Sequence, residues 1–152
     1  MTQRRSDMVL TDNWFTALSE NEDGTITFIS GRSGIDEFIK SGKLKQRMEV
    51  TWRYEADSKG MPANDKEAQI MEAVEERLRK ALEKDKLAIL TGIYTGQGKR
   101  EWIFITRNLN AFGERLNDAL QGLPQLPIEI YAEDDPDNEE YKSLLELKCE
   151  DD

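Results

Sequence analysis

Arg47, Glu49, Thr51 and Arg53 stand at alternate positions of one stretch, and Glu129 and Tyr131 repeat the spacing in a second. Period-two spacing puts such side chains on one face of a strand, so two strands in one sheet would bring carboxylates, guanidinium groups and a phenol together. Three outcomes follow. The simplest is cross-strand ion pairing of little energetic weight, or burial of the face under another segment. The next is a rigid mixed-charge surface with aromatics, which suits protein binding. The most demanding is a carboxylate-based enzyme site, with Glu49 or Glu129 as base and Arg47 or Arg53 as electrostatic stabiliser. No residue is assigned a catalytic role on this basis.

Lys99 and Arg100, close to Trp102, could form a recognition tip, or could simply be the exposed end of a hairpin over a core tryptophan. Other chemistry fails on residue types. Without histidine there is no Ser-His-Asp or Cys-His arrangement. Gly92 to Lys99 superficially suggests a phosphate loop, but five residues rather than four separate Gly92 from Gly98, and Arg100 stands where Ser or Thr would hold magnesium. Glu133, Asp134, Asp135 and Asp137 are oxygen donors for calcium or magnesium in principle. Their spacing matches no EF-hand loop, and a solvated turn opened by Asp135-Pro136 is the simpler reading. Neither a metal nor a cofactor is assigned.

The 152 residues suffice for one core, and the net charge of -10 is uneven. From Glu133 to Asp152 ten carboxylates face only Lys142 and Lys148, so the body is nearly neutral. An acidic end disfavours nucleic acid as a partner, yet leaves room for a local basic face on the body. Cys149 is the single cysteine, which rules out an intrachain disulfide. The first ten residues, with Arg4, Arg5 and Asp7, carry no signal-like run, and no stretch approaches the ~18 apolar residues of a membrane span. A cytoplasmic acidic protein without a membrane partner is expected, and a homodimer is compatible with this.

The elements that must position these residues centre on Leu87 to Thr106, two strands apolar on both faces joined at Gly96-Gln97-Gly98. Such strands lie inside a sheet covered on both sides. Before them, Asn13 to Ala17 and Thr25 to Ser30 form a hairpin around an Asp-Gly turn, and Ser33 caps a short helix from Gly34 to Lys40. Leu44 to Glu55 alternates, with Leu44, Met48, Val50, Trp52 and Tyr54 toward the core. Asn64 and Glu67 open an amphipathic helix, Asp65 to Lys84, whose charges pair along its solvated face as Glu75 with Arg79 and Glu76 with Lys80. A second helix, Asn108 to Leu120, a strand, Pro127 to Ala132, and a short helix, Glu139 to Lys148, complete the chain before a frayed acidic end.

From Leu44 to Ala132 the order strand, helix, strand, strand, helix, strand predicts an α+β ferredoxin-like split βαβ sandwich: an antiparallel sheet with two helices on one face. The whole chain, 1–152, reads as one domain. Residues 1–43 add an amino-terminal β-hairpin and short helix that extend the sheet or cover part of its open face; 44–132 are the core and 133–152 the acidic segment.

The segments TWRYEADSKGMP, AILTGIYTGQGKREWIFITR, FGERLNDAL and PIEIYAEDDPDNEEY resemble the bacterial domain of unknown function six-nine-five over about Val50 to Tyr141. The likeness rests on Gly60-Met61-Pro62, on Thr95 to Glu101, and on the Asp135-Pro136 to Tyr141 ending, where Asn138 replaces the family's usual aromatic. The resemblance implies this fold and no assigned reaction. Its architecture is more loosely similar to the B-type regulators of ribonuclease E, acidic proteins that act by binding an enzyme, an analogy of fold alone. The function expected is a non-enzymatic protein-interaction or regulatory domain with a protein partner; the alternative is a small carboxylate-based enzyme.

Overall fold

The computed structural model describes residues 9–148, so the readings of the first residues, of Cys149 and of the last acidic residues lie outside it. A hairpin of β1 (Asn13–Glu20) and β2 (Ile26–Ser33) comes first. Its turn closes with the Asn21 N–H donating to the Thr25 carbonyl at 2.8 Å, and Gly24 takes the positive φ of +88° that the turn requires. Then follow α1 (Asp36–Lys40), β3 (Gln46–Arg53), α2 (Asp65–Glu83), β4 (Ala88–Gly96), β5 (Lys99–Thr106), α3 (Leu109–Ala119), β6 (Ile128–Asp134) and α4 (Glu139–Leu145). The fold is α+β: one six-stranded antiparallel sheet in the order β1-β2-β4-β5-β3-β6, with four helices.

The double-sided apolar pattern of β4 and β5 has its cause in two cores. Leu90, Trp102 and Phe104 pack with Met71, Val74 and Leu78 of α2 and with Phe112 and Leu116 of α3 on one side. Ile89 and Ile105 pack with Phe15, Phe38, Tyr141 and Leu144 on the other. The second face is therefore covered in part by α1 and α4, and the expected open face is smaller than an uncovered sheet would give. The expected extension by the hairpin is real, with β2 pairing onto β4 from Phe28↔Thr95 to Gly31↔Gly92.

Three local expectations are corrected. Leu44 lies outside β3 and joins the second core under α1, because the strand starts only at Gln46. Ser33 does not cap α1; it ends β2, which runs on past Gly31, and Ile35 stands at the cap position without a side-chain bond. Glu75 spends its carboxylate on the Trp102 indole N–H at 2.7 Å, and Arg79 reaches Asp12 at 2.6 Å instead. Glu67 likewise accepts from the Trp52 indole at 3.1 Å. Acidic side chains flanking the apolar stripe of α2 thus dock the helix onto the sheet, because a buried indole N–H needs an acceptor.

The carboxy-terminal end of α2 is tied to the middle of α3. Arg115 donates to both oxygens of Asp85, at 2.8 and 3.1 Å, and to the Ala81 carbonyl at 3.0 Å. The Arg115 hydrogen bonds lower the Asp85 carboxyl from 3.8 to about 2. A depressed carboxylate stabilises the fold above its unfolded value and loses that contribution as pH falls through the folded one. Acid titration of the wild type therefore loses stability between about pH 4 and pH 2 that Asp85→Asn does not lose. The difference at neutral pH is about 1 kcal/mol or less, since the pair is partly solvated. Gly31 lies under the Phe15 ring across the hairpin, where a methyl group would collide with the ring. Gly31→Ala is expected to cost about 1–3 kcal/mol in denaturant unfolding, with Phe15 displaced.

Candidate functional site

The register brings together most of the residues that the sequence put on one face. Glu49 stands opposite Tyr131, Thr51 opposite Glu129, and Arg53 opposite Lys99. Arg47 is nearly covered and holds Glu49 at 3.2 Å and Glu133 at 3.6 Å, while its Nε is buried with no hydrogen-bond partner among the described residues. Toward the edge the face opens: Arg53 and Glu129 pair loosely at 3.6 Å and are both exposed, as is Tyr131. Lys99 pairs with Glu101 at 3.5 Å on this face. Arg100, one residue on, points to the other face and donates to Thr95 Oγ1 at 3.0 Å. The two hairpin-tip cations thus serve opposite surfaces, as strand alternation requires.

Sequence reasoning missed Tyr94. It faces Glu101 across the hairpin and lines a crevice with Arg47, Ile103 and Glu140, and burial pushes its phenol up. The crevice, about 10 Å³, has room for a single water. Glu49 is thus ion-paired beside a crevice too small for a substrate, and Glu129 stands exposed on an edge strand. The four carboxylates after β6 begins to end do not converge. Glu133 pairs with Arg47, Asp134 accepts from Gln46, and Asp135 turns inward to accept the N–H groups of Glu139 and Glu140 at the start of α4.

The larger concavity lies on the α2 side, where the hairpin extends the sheet beyond the helix. A groove of about 980 Å³ runs between α2 and the floor formed by Ser30, Ile93 and Thr95. Strand alternation continues that floor to Phe28, opposite Thr95, and to Leu18, opposite Phe28. These two apolar side chains are 50% and 65% exposed, where most residues of their kind are buried. Glu72, Glu75 and Glu76 line the helix wall, and Arg100 lines the groove from β5. Trp14 is held between the guanidinium groups of Arg32 and Arg79, 5.3 and 5.4 Å from its ring centre. Its indole N–H and Arg79 both hydrogen-bond Asp12, holding that carboxyl below its usual range.

The residues that carry the family resemblance are engaged in the fold. Gly98 N–H donates to the Gly60 carbonyl at 3.1 Å, Tyr54 N–H to the Gly98 carbonyl at 3.0 Å, and the Tyr54 hydroxyl to the Gly60 carbonyl at 2.7 Å. The Gly-Met-Pro loop and the glycine turn are thereby one unit at the end of the sheet. Tyr141 donates its hydroxyl to the Arg32 carbonyl at 2.7 Å, and Asn138, at the φ of +53° that asparagine tolerates, donates to the Leu44 carbonyl at 2.7 Å.

No helix among the described residues is long and apolar enough to cross a membrane, and no group of three or more potential ligands among them could hold a metal ion. No curated protein and no solved structure matches the chain. A family model described as a family of unknown function (DUF695) does match, over residues 12–146, and that span takes in all six strands and all four helices of the described fold. The chain belongs to this family of unknown function, DUF695.

Proposed function

We propose that the protein is a cytoplasmic, non-enzymatic interaction or regulatory domain that engages a protein partner at the outer edge of β1. The observation that carries this reading is the Leu18–Phe28 pair, two large apolar side chains directly opposite each other and half or more exposed, at the margin of the sheet. Strand β1 ends the strand order, and its eight residues, NWFTALSE, contain no proline or lysine to discourage pairing. An extended segment added there would place alternate side chains on Leu18 and Phe28. The carboxylates of α2 along the same groove favour a segment that also carries a basic residue.

The architecture beneath this surface is inferred to be of the ferredoxin-like, split βαβ kind. Support comes from the strand order β6-β3-β5-β4 of the four inner-to-edge strands and from Met71 and Phe112 sharing one core. The second face, with Arg47, Glu49, Thr51, Arg53, Glu129, Tyr131 and Lys99, is a subsidiary binding surface whose free portion is the β3–β6 edge. The carboxylate-enzyme alternative draws little support from an ion-paired Glu49 and an exposed Glu129.

Affinity purification from the native host at low salt, run in parallel with wild type and with the Leu18→Glu/Phe28→Glu variant, tests the proposal. A partner recovered with wild type and reduced at least about tenfold with the variant is expected, since losing two apolar anchors costs well over 1.4 kcal/mol. Recovery of nothing above background, or of the same partner by both proteins, would overturn it.

A further inference from the structure

We propose that the cleft where α2 meets β4 and β5 meets α3 is a binding site for a small phosphate-bearing ligand. The chain carries a net charge of -10, yet Lys43, Lys45, Arg107 and Arg115 line one cavity of about 600 Å³ there, against a single carboxylate, Asp85. The concavity is broad and open to solvent, so a ligand there would be held by its charge more than by enclosure. The cations come from three separate places in the chain: the loop before β3, the β5–α3 link, and α3 itself. Their convergence is a product of the fold, and a local run of basic sequence does not explain it.

The electrostatics favour a compact anion. Asp85 is committed to Arg115 through both oxygens, and Arg107 reaches only the periphery of that pair, 3.4 Å from the Asp85 carbonyl and 3.9 Å from its carboxylate. One carboxylate shared by two arginines leaves the two lysines that line the cavity without an ion-pair partner among the described residues, and like charges gathered in a concavity raise the local affinity for anions. Arg115 is also fixed by the Ala81 carbonyl at 3.0 Å, so its guanidinium is oriented before any ligand arrives. The first turn of α3 opens on the same cavity with Asn108 as its cap and no acidic residue to oppose an anion. This is a minor addition to the four side chains. Ala111, half-buried at the rim, gives the concavity a small apolar patch beside these charges.

This cleft lies at the start of β4, whereas Phe28 pairs near the end of β4, so the site and the proposed partner edge occupy opposite ends of the sheet. It stands or falls apart from the reading of β1. The test is calorimetric titration of the full chain with inorganic pyrophosphate and with adenosine monophosphate at low and at physiological salt, followed by amide chemical shifts. Saturable one-to-one binding of at least one probe is expected, with the largest shifts at Asn108 and Ala111. Lys43→Glu/Lys45→Glu, on an exposed loop, should weaken binding by about tenfold or more, as losing charge-assisted hydrogen bonds does. Lys59→Glu, on the exposed loop before α2, carries a charge change far from the cleft and should alter affinity by less than about twofold through screening. Absence of saturable binding, equal loss in the Lys59→Glu control, or binding of polyuridylate with neither small probe bound would each overturn the proposal.

Discussion

A guanidinium buried to 1% exposure sits at the junction of four elements, and the positions of both functional surfaces follow from how its charge is met. Arg32 is the last residue but one of the hairpin strand β2. It donates to Glu83 of α2 at 2.7 Å, to the Leu90 carbonyl of β4 at 3.0 Å, and twice to the Thr11 carbonyl, at 3.1 and 2.8 Å. Its own carbonyl takes the Tyr141 hydroxyl of α4. A buried arginine left partly unpaired costs several kcal/mol, so this set of bonds has to form together. The hairpin is thereby fixed to the end of α2, and the gap left between α2 and the hairpin is the groove floored by Ser30, Ile93 and Thr95, on the same sheet face as Leu18 and Phe28.

The same economy recurs along α2. Glu67, Glu75 and Glu83 lie beside the apolar stripe of Met71, Val74, Leu78 and Leu82 and accept, in turn, from Trp52, Trp102, and Leu90 with Arg32. Burying a tryptophan gains much apolar area only if its indole N–H finds a partner. Helix position and tryptophan position are therefore specified jointly, which fixes the sheet's inner layer and, through the α2–α3 tie at Asp85 and Arg115, the cleft at the other end.

Much of this was legible in the sequence. Period-two and period-3.6 patterns located the longer strands and helices, because each pattern reports a burial that the structure contains, and turn and cap residues placed the amino-terminal hairpin and α1. The apolar character of β4 and β5 on both faces announced two covering layers. What the patterns could not report were contacts between distant residues. Arg32 follows Gly31 in a strand with no periodic signature, and its partners Thr11, Glu83 and Leu90 are recognisable only after folding. The glutamates of α2 looked like a solvated face because an acceptor for an indole and a charge in water are the same letter. Arg100 was grouped with Lys99 by adjacency, although strand alternation sends neighbours to opposite faces. The basic cleft was invisible in a chain whose summed charge is strongly negative, since its cations are scattered from Lys43 to Arg115.

The most direct test of the account is native-state hydrogen exchange combined with denaturant unfolding of Arg32→Met and Arg32→Met/Glu83→Gln. The account predicts that Arg32→Met alone costs about 3–5 kcal/mol by leaving the mostly buried Glu83 with only Arg79, 3.7 Å away, and the Leu90 N–H, and that the double variant recovers part of the loss. It also predicts that amides of β1 and β2 lose protection before those of β4 and β5. A loss below about 1 kcal/mol, the scale of a surface pair, with protection falling evenly across the sheet, would contradict it.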